Sequence, residues 1–90
     1  MILTNGAQPI AWSVQTNEEG SGYRAFSGTV VAHAPYVNPH DEYVVWTCAS
    51  DDGIEYWCGG GAYFSDLSEA MDHYSNKILG LQNDLKRSVA

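Results

Sequence analysis

Basic side chains are scarce: Lys and Arg number 4 against 11 Asp and Glu in 90 residues, a formal charge of −7. That argues against direct binding to a phosphate backbone, where affinity comes from clustered Lys and Arg. Cysteine is scarce too. Cys48 and Cys58 are too few for a disulfide framework and lie too far apart in sequence for a zinc-finger pattern. No apolar run approaches the ~18 residues of a membrane span. The opening Met1-Ile2-Leu3-Thr4-Asn5-Gly6 has neither the basic start nor the apolar stretch of a signal peptide. The expectation is a soluble, cytoplasmic protein with reduced thiols and no membrane partner.

Catalytic patterns are equally thin. His33, His40, His73, Cys48 and Cys58 show no CxxC or HxxxH spacing. Gly59-Gly60-Gly61 precedes a helix without the Lys-Ser/Thr of a P-loop or a GxGxxG spacing, so it reads as a flexible joint. Cys58, His33 and Asp41 are formally a nucleophile, base and acid, yet any chain of this length offers such a trio. The chain is therefore expected to be no enzyme and to need no metal or cofactor.

What is present is a compact-domain composition, 44% hydrophobic and 17% charged. One small core is the limit at this length, since such a chain buries only about 60–65% of its unfolded surface. Residues 1–9 are small and polar and read as a loosely held arm; the sheet is expected over 10–58. Ile10, Trp12 and Val14 alternate with Ala11, Ser13 and Gln15, the period of a half-buried strand. Asn17 to Gly22 has turn chemistry, and Tyr23–His33 reads as a second strand with a bulge or bend at Gly28. Pro35 and Pro39 place a loop before the third strand, Glu42–Ala49. Asp51-Asp52-Gly53 turns the chain back into Ile54–Cys58.

After Phe64 the period changes. Ser65 or Asp66 caps a helix expected over 65–88, with Glu69 three residues beyond Asp66 as in a capping box. Leu67, Met71, Tyr74, Ile78, Leu81 and Leu85 form one apolar stripe, and Lys86 and Arg87 suit the negative end of the helix dipole. The fold expected is α+β: about four antiparallel strands in two hairpins, followed by one C-terminal helix packed on one sheet face.

One helix covers one face, but the third and fourth strands are apolar on both. Tyr43, Val45 and Thr47 alternate with Val44, Trp46 and Cys48, and Tyr56 and Cys58 with Trp57. A solvated face should show polar residues at every second position. Something therefore covers the second face: the N-terminal arm, a second copy of the chain, or a partner protein. Residues 1–65 hold seven acids against Arg24 alone, gathered at turns and strand ends. Such an edge steers a protein onto a basic partner. The candidate contact residues are Tyr43, Trp46, Tyr56 and Trp57 for area, with Glu42, Asp51, Asp52 and Glu55 for charge.

A short acidic chain with Glu18-Glu19, Asp41-Glu42 and Asp51-Asp52, a sheet-plus-helix plan and no catalytic motif resembles the small anti-defence inhibitors of phages and mobile elements, the anti-CRISPR proteins in particular. The resemblance implies a steric block or DNA mimic docked on the nucleic-acid-binding groove of a host CRISPR-type complex. Asp66-Leu67-Ser68-Glu69-Ala70 also resembles the helix opening of HicB-type antitoxins, with Gly61-Ala62-Tyr63-Phe64 where that family has a Gly-Asp-Thr approach. That second resemblance implies a small antitoxin-like interaction module; the two-sided apolar strands alternatively suit a homodimeric structural module in which the uncovered sheet face packs on its own copy.

Overall fold

The computed structural model describes the backbone of residues 1–89 and the side chains of residues 1–80. Five strands and one helix follow in order: β1 (Ile2–Leu3), β2 (Gln8–Thr16), β3 (Phe26–His33), β4 (Tyr43–Ser50), β5 (Glu55–Phe64) and α1 (Leu67–Val89). The fold is α+β with one C-terminal helix, as expected. The sheet differs from the expectation: it has five strands in the order β1-β5-β4-β3-β2, and β1 pairs with β5 in parallel. The other pairings form an antiparallel meander.

The extra strand comes from the segment read as a loose arm. Ile2 pairs with Glu55 and Leu3 with Tyr56, and the backbone N–H groups of Ile2 and Thr4 donate to Ile54 and Tyr56 at 2.8 and 3.0 Å. Leu3 and Ala7 are buried. This link decides the shape of the sheet. β1 and β2 are its two outermost strands, yet only Thr4–Ala7 separate them. Five Cα steps reach at most about 18 Å, whereas the outer strands of a flat five-stranded sheet lie ~19 Å apart. The sheet must curl, and β1 and β2 come into contact.

Curling gives the two faces separate cores. The concave side gathers Leu3, Ala7, Val30, Ala32, Ala34, Val44, Trp46, Cys48 and Tyr56. On the convex side Val31 and Val45 meet Ala70 and Tyr74 of α1, flanked by Met71, Ile78 and Phe64. Of the three possible covers for the second face, the N-terminal segment occupies it.

Asp66 is the helix cap: its Oδ1 accepts the Ser68 N–H at 2.9 Å. The buried helix positions are Ala70 and Tyr74, while Leu67, the first residue of the expected stripe, is 38% exposed. An alanine at the contact lets the helix approach Val31 and Val45 closely. Leu81, Leu85, Lys86 and Arg87 lie outside the described side chains.

The glycine triplet is part of β5 rather than a joint after it. Val45 pairs with Ala62 and Thr47 with Gly59, so Gly60 and Gly61 together face Trp46 in a β-bulge. Gly60 has φ +63°, and a Cβ on Gly61 would sit 2.7 Å from Trp46 Nε1. The triplet makes room for the Trp46 indole. Gly28, expected at a bulge or bend, keeps regular pairing with Val14 and Cys48; the β2–β3 bulge lies between Pro9 and Ala11 instead. A Cβ at Gly28 would meet the Ser13 carbonyl oxygen at 2.0 Å, so the position serves close strand approach.

Candidate protein-binding surface

Strand order sends the acids to particular ends. The β2–β3 loop and the β4–β5 turn lie at one end of the sheet, because Thr16 pairs with Phe26 and Phe26 with Ser50. That end carries Glu18, Glu19, Asp51, Asp52 and Glu55, all exposed. Its one basic side chain among the described residues is Arg24. Four large apolar side chains are exposed there: Tyr23 at 77%, Ile54 at 58%, Ile2 at 56% and Trp57 at 46%. Acids rimming aromatic and aliphatic surface have the composition of an interface not yet closed.

Local hydrogen bonds hold this end in shape. Ser50 is fully buried at the end of β4, and its Oγ accepts the N–H groups of Asp52 and Gly53 at 3.3 and 2.9 Å. The same hydroxyl donates to Asp52 Oδ1 at 3.0 Å, which also accepts the N–H groups of Ile54 and Glu55 at 2.9 and 3.0 Å. Those donors, Ile54 first, then Glu55 and Ser50, hold the Asp52 carboxyl below its ordinary value. Gly53, at φ +78°, closes the turn under the Phe26 ring.

The longer loop is braced by Asn17, whose Nδ2 donates to the Arg24 carbonyl at 2.8 Å and to Ser27 Oγ at 2.9 Å. Here the strand expected from Tyr23 begins only at Phe26. Arg24 reaches across, with its guanidinium 4.6 Å from the Trp57 ring centroid and Nη1 2.8 Å from Asp51 Oδ2. Both ion-pair partners are more than half exposed, so the pair orients the surface more than it stabilises the fold.

The eight candidate contact residues separate into three groups. Asp51, Asp52, Glu55 and Trp57 stand together at the acidic end. Glu42 and Tyr43 lie at the other end of β4, roughly 23 Å away along eight residues of strand. There Glu42 Oε1 is 3.2 Å from His33 Nε2, and the Tyr43 ring lies 5.1 Å from that of His33. Trp46 and Tyr56 are buried in the concave core, at 5% and 3% exposure, and offer no contact area. That corrects their assignment to a docking face. Alternation marks them as facing one side of the sheet, but that side is the inside of the curl.

Within the acidic group the roles also divide. Asp52 is occupied by three hydrogen-bond donors of its own turn and Asp51 by Arg24, whereas Glu18, Glu19 and Glu55 engage no ion pair among the described residues. Glu18 and Glu19 stood out in the sequence as part of the acidic edge but not among the candidate contact residues. Their place at the same end of the sheet as Glu55 and Trp57 depends on the pairing of β3 with β4, which no local pattern reveals.

Cys48 and Cys58 are free thiols directly opposite each other on β4 and β5. Burial pushes both up to about 11, the neighbouring Cys58 adding to the effect at Cys48. Thiols so raised are poor nucleophiles at neutral pH. Among the described residues no group of three or more His, Cys, Asp or Glu is placed to hold a metal ion, and no helix is long and apolar enough to cross a membrane. Comparison with protein families, with curated proteins and with solved structures gives no match to this chain.

Proposed function

We propose that the protein is a non-enzymatic binding module that docks its acidic end on a basic surface of another protein. The observation that supports this most strongly is the coincidence, at one end of the sheet, of Glu18, Glu19 and Glu55 with the exposed Tyr23, Ile54 and Trp57. Exposed carboxylates give long-range attraction to a basic groove, and the apolar side chains give short-range contact once water is expelled. Asp51 and Asp52 belong to the same surface but act mainly within it, one orienting Arg24 on Trp57 and the other holding the turn.

The target class is a protein whose basic groove ordinarily holds nucleic acid, since such grooves are where positive charge is concentrated. The resemblance to small acidic anti-defence inhibitors makes a CRISPR-type complex of a host cytoplasm the first to test. Occupying the groove would block the strand that belongs there, by steric exclusion or by imitation of its charge. Tagged protein is incubated with lysate of cells expressing such a complex and washed at low salt and at about 0.5 M, where exposed charge pairs are heavily screened. Retention of one complex at low salt and its loss at high salt supports electrostatic docking. Retention at neither overturns the proposal.

A further inference from the structure

A second surface lies away from the acidic end. β2 is an edge strand: among the described residues it pairs with β3 on one side and with no strand on the other, the two-residue β1 touching it without pairing. Its nine residues, Gln8–Thr16, include no charged side chain, although the whole chain carries −7. Ile10, Trp12 and Val14 are 40%, 46% and 36% exposed. Edge strands are normally protected by charge, proline or a bulge. β2 has its proline and its bulge at Pro9–Ala11, leaving Trp12–Thr16 regular and unprotected.

The hydrogen-bond phase of β2 says which groups face outward. The Asn17 N–H donates to the Ala25 carbonyl at 2.8 Å, so Asn17 and Ala25 form a hydrogen-bonded pair. Pairs alternate along an antiparallel ladder. Gln15 and Ser13 therefore bond to β3, while Thr16, Val14 and Trp12 turn their N–H and C=O groups to the open side. The next ladder agrees: the Ala34 N–H donates to the Glu42 carbonyl at 2.7 Å, which places Phe26, Gly28 and Val30, the partners of Thr16, Val14 and Trp12, in bonded pairs with β4.

We infer that this edge pairs with β2 of a second copy, antiparallel, about a two-fold axis at Val14. That register sets Val14 against Val14 of the other copy and Trp12 against its Thr16, and each pair exchanges two backbone hydrogen bonds. All three side chains share one face, so Trp12 lies diagonal to the other Val14. Charge selects the occupant. Glu18 and Glu19 of one copy, just past the end of its β2, lie toward the uncharged Pro9–Ile10 end of the other, so no acid of one strand meets an acid of the other. A basic partner strand would find nothing to pair with along β2. The inference is independent of the function proposed for the acidic end.

The test is sedimentation equilibrium of the whole protein from about 5 to 500 μM, with amide exchange measured at both extremes. A concentration-dependent dimer is expected, with the Trp12, Val14 and Thr16 amides protected only at high concentration. Val14→Lys and Val14→Glu each place like charges face to face and should weaken association at least tenfold; mixing the two variants should restore it. Either variant alone keeps the cooperative melt, because the side chain is partly exposed. A monomer at every concentration overturns the inference, as does a dimer indifferent to Val14→Lys. Protection of these amides only when another protein is added overturns the assignment to a second copy.

Discussion

Gly59, Gly60 and Gly61 are chemically identical and adjacent, yet alanine at each should have a different effect. At Gly59 nothing lies within 4 Å of an added Cβ. The substitution there removes only unfolded-state freedom and should be neutral or stabilising, by up to about 0.5–1 kcal/mol. At Gly60 the backbone is left-handed, φ +63°, which costs an L-residue about 1–2 kcal/mol. At Gly61 the new methyl would lie 2.7 Å from Trp46 Nε1, 2.9 Å from Cδ1 and 3.0 Å from Tyr63 Cε2. Trp46 is locked in the concave core and cannot simply swing away. Overpacking of this kind costs about 1–3 kcal/mol. Urea unfolding followed by tryptophan fluorescence measures all three; 1 kcal/mol corresponds to roughly 4–8 °C in Tm for a domain of this size. If the triplet were a flexible joint, the three variants would behave alike. Equal effects at Gly59 and Gly61, or a harmless Gly61→Ala, would refute the bulge-and-indole packing.

Three further outcomes are expected. Ser50→Ala removes the buried hydroxyl that accepts the N–H groups of Asp52 and Gly53, themselves partly open to water, and should cost about 0.5–1.5 kcal/mol in the same urea assay. The Asp52 carboxyl is held below its ordinary value of 3.8 in the folded state, so its contribution is complete above that pH and lost as pH falls through and below it. Asp52→Asn should therefore flatten the acid limb of a stability–pH curve. Cys48 and Cys58, raised from 9.0 to about 11, have the opposite dependence: their contribution is complete below pH 9 and lost as pH rises from 9 to 11. Replacing both with Ala should reduce that alkaline loss, and a thiol reagent at pH 8 should label the native protein far more slowly than the urea-unfolded chain.

Much of the fold was legible where the causes are local. β4 begins and ends within a residue of expectation because its run of Val, Tyr and Trp is bounded by a Pro-containing loop and an Asp-Asp-Gly turn. The helix start was legible because an Asp at position 66, just ahead of the apolar stripe, supplies the acceptor that a first helical turn needs. β1 was not: two residues carry no period, and their pairing with Glu55 and Tyr56 spans most of the sheet sequence. Nor was the second half of β5, since three glycines argue against a strand and only the facing β4 explains them.

The site was legible in part for the same reason. Turn chemistry placed Asp51 and Asp52, and the gathering of acids at strand ends added Glu55, but Trp46 and Tyr56 have the size and type of interface anchors and are core. Alternation separates two faces without saying which is inside a curl. Two glutamates on a loop gain meaning only when long-range pairing brings them to the same end of the sheet as Trp57.

The division between the two ends of the sheet is most directly tested by charge reversal at each. Glu18→Lys/Glu19→Lys/Glu55→Lys reverses three exposed acids at one end, and Asp41→Lys/Glu42→Lys alters the other; both proteins should melt cooperatively. Capture of the complex retained by the unaltered protein at low salt is then compared across the three. Loss with the first variant and retention with the second is the expected result. Equal capture by all three, or loss only with the second, would contradict docking through the acidic end.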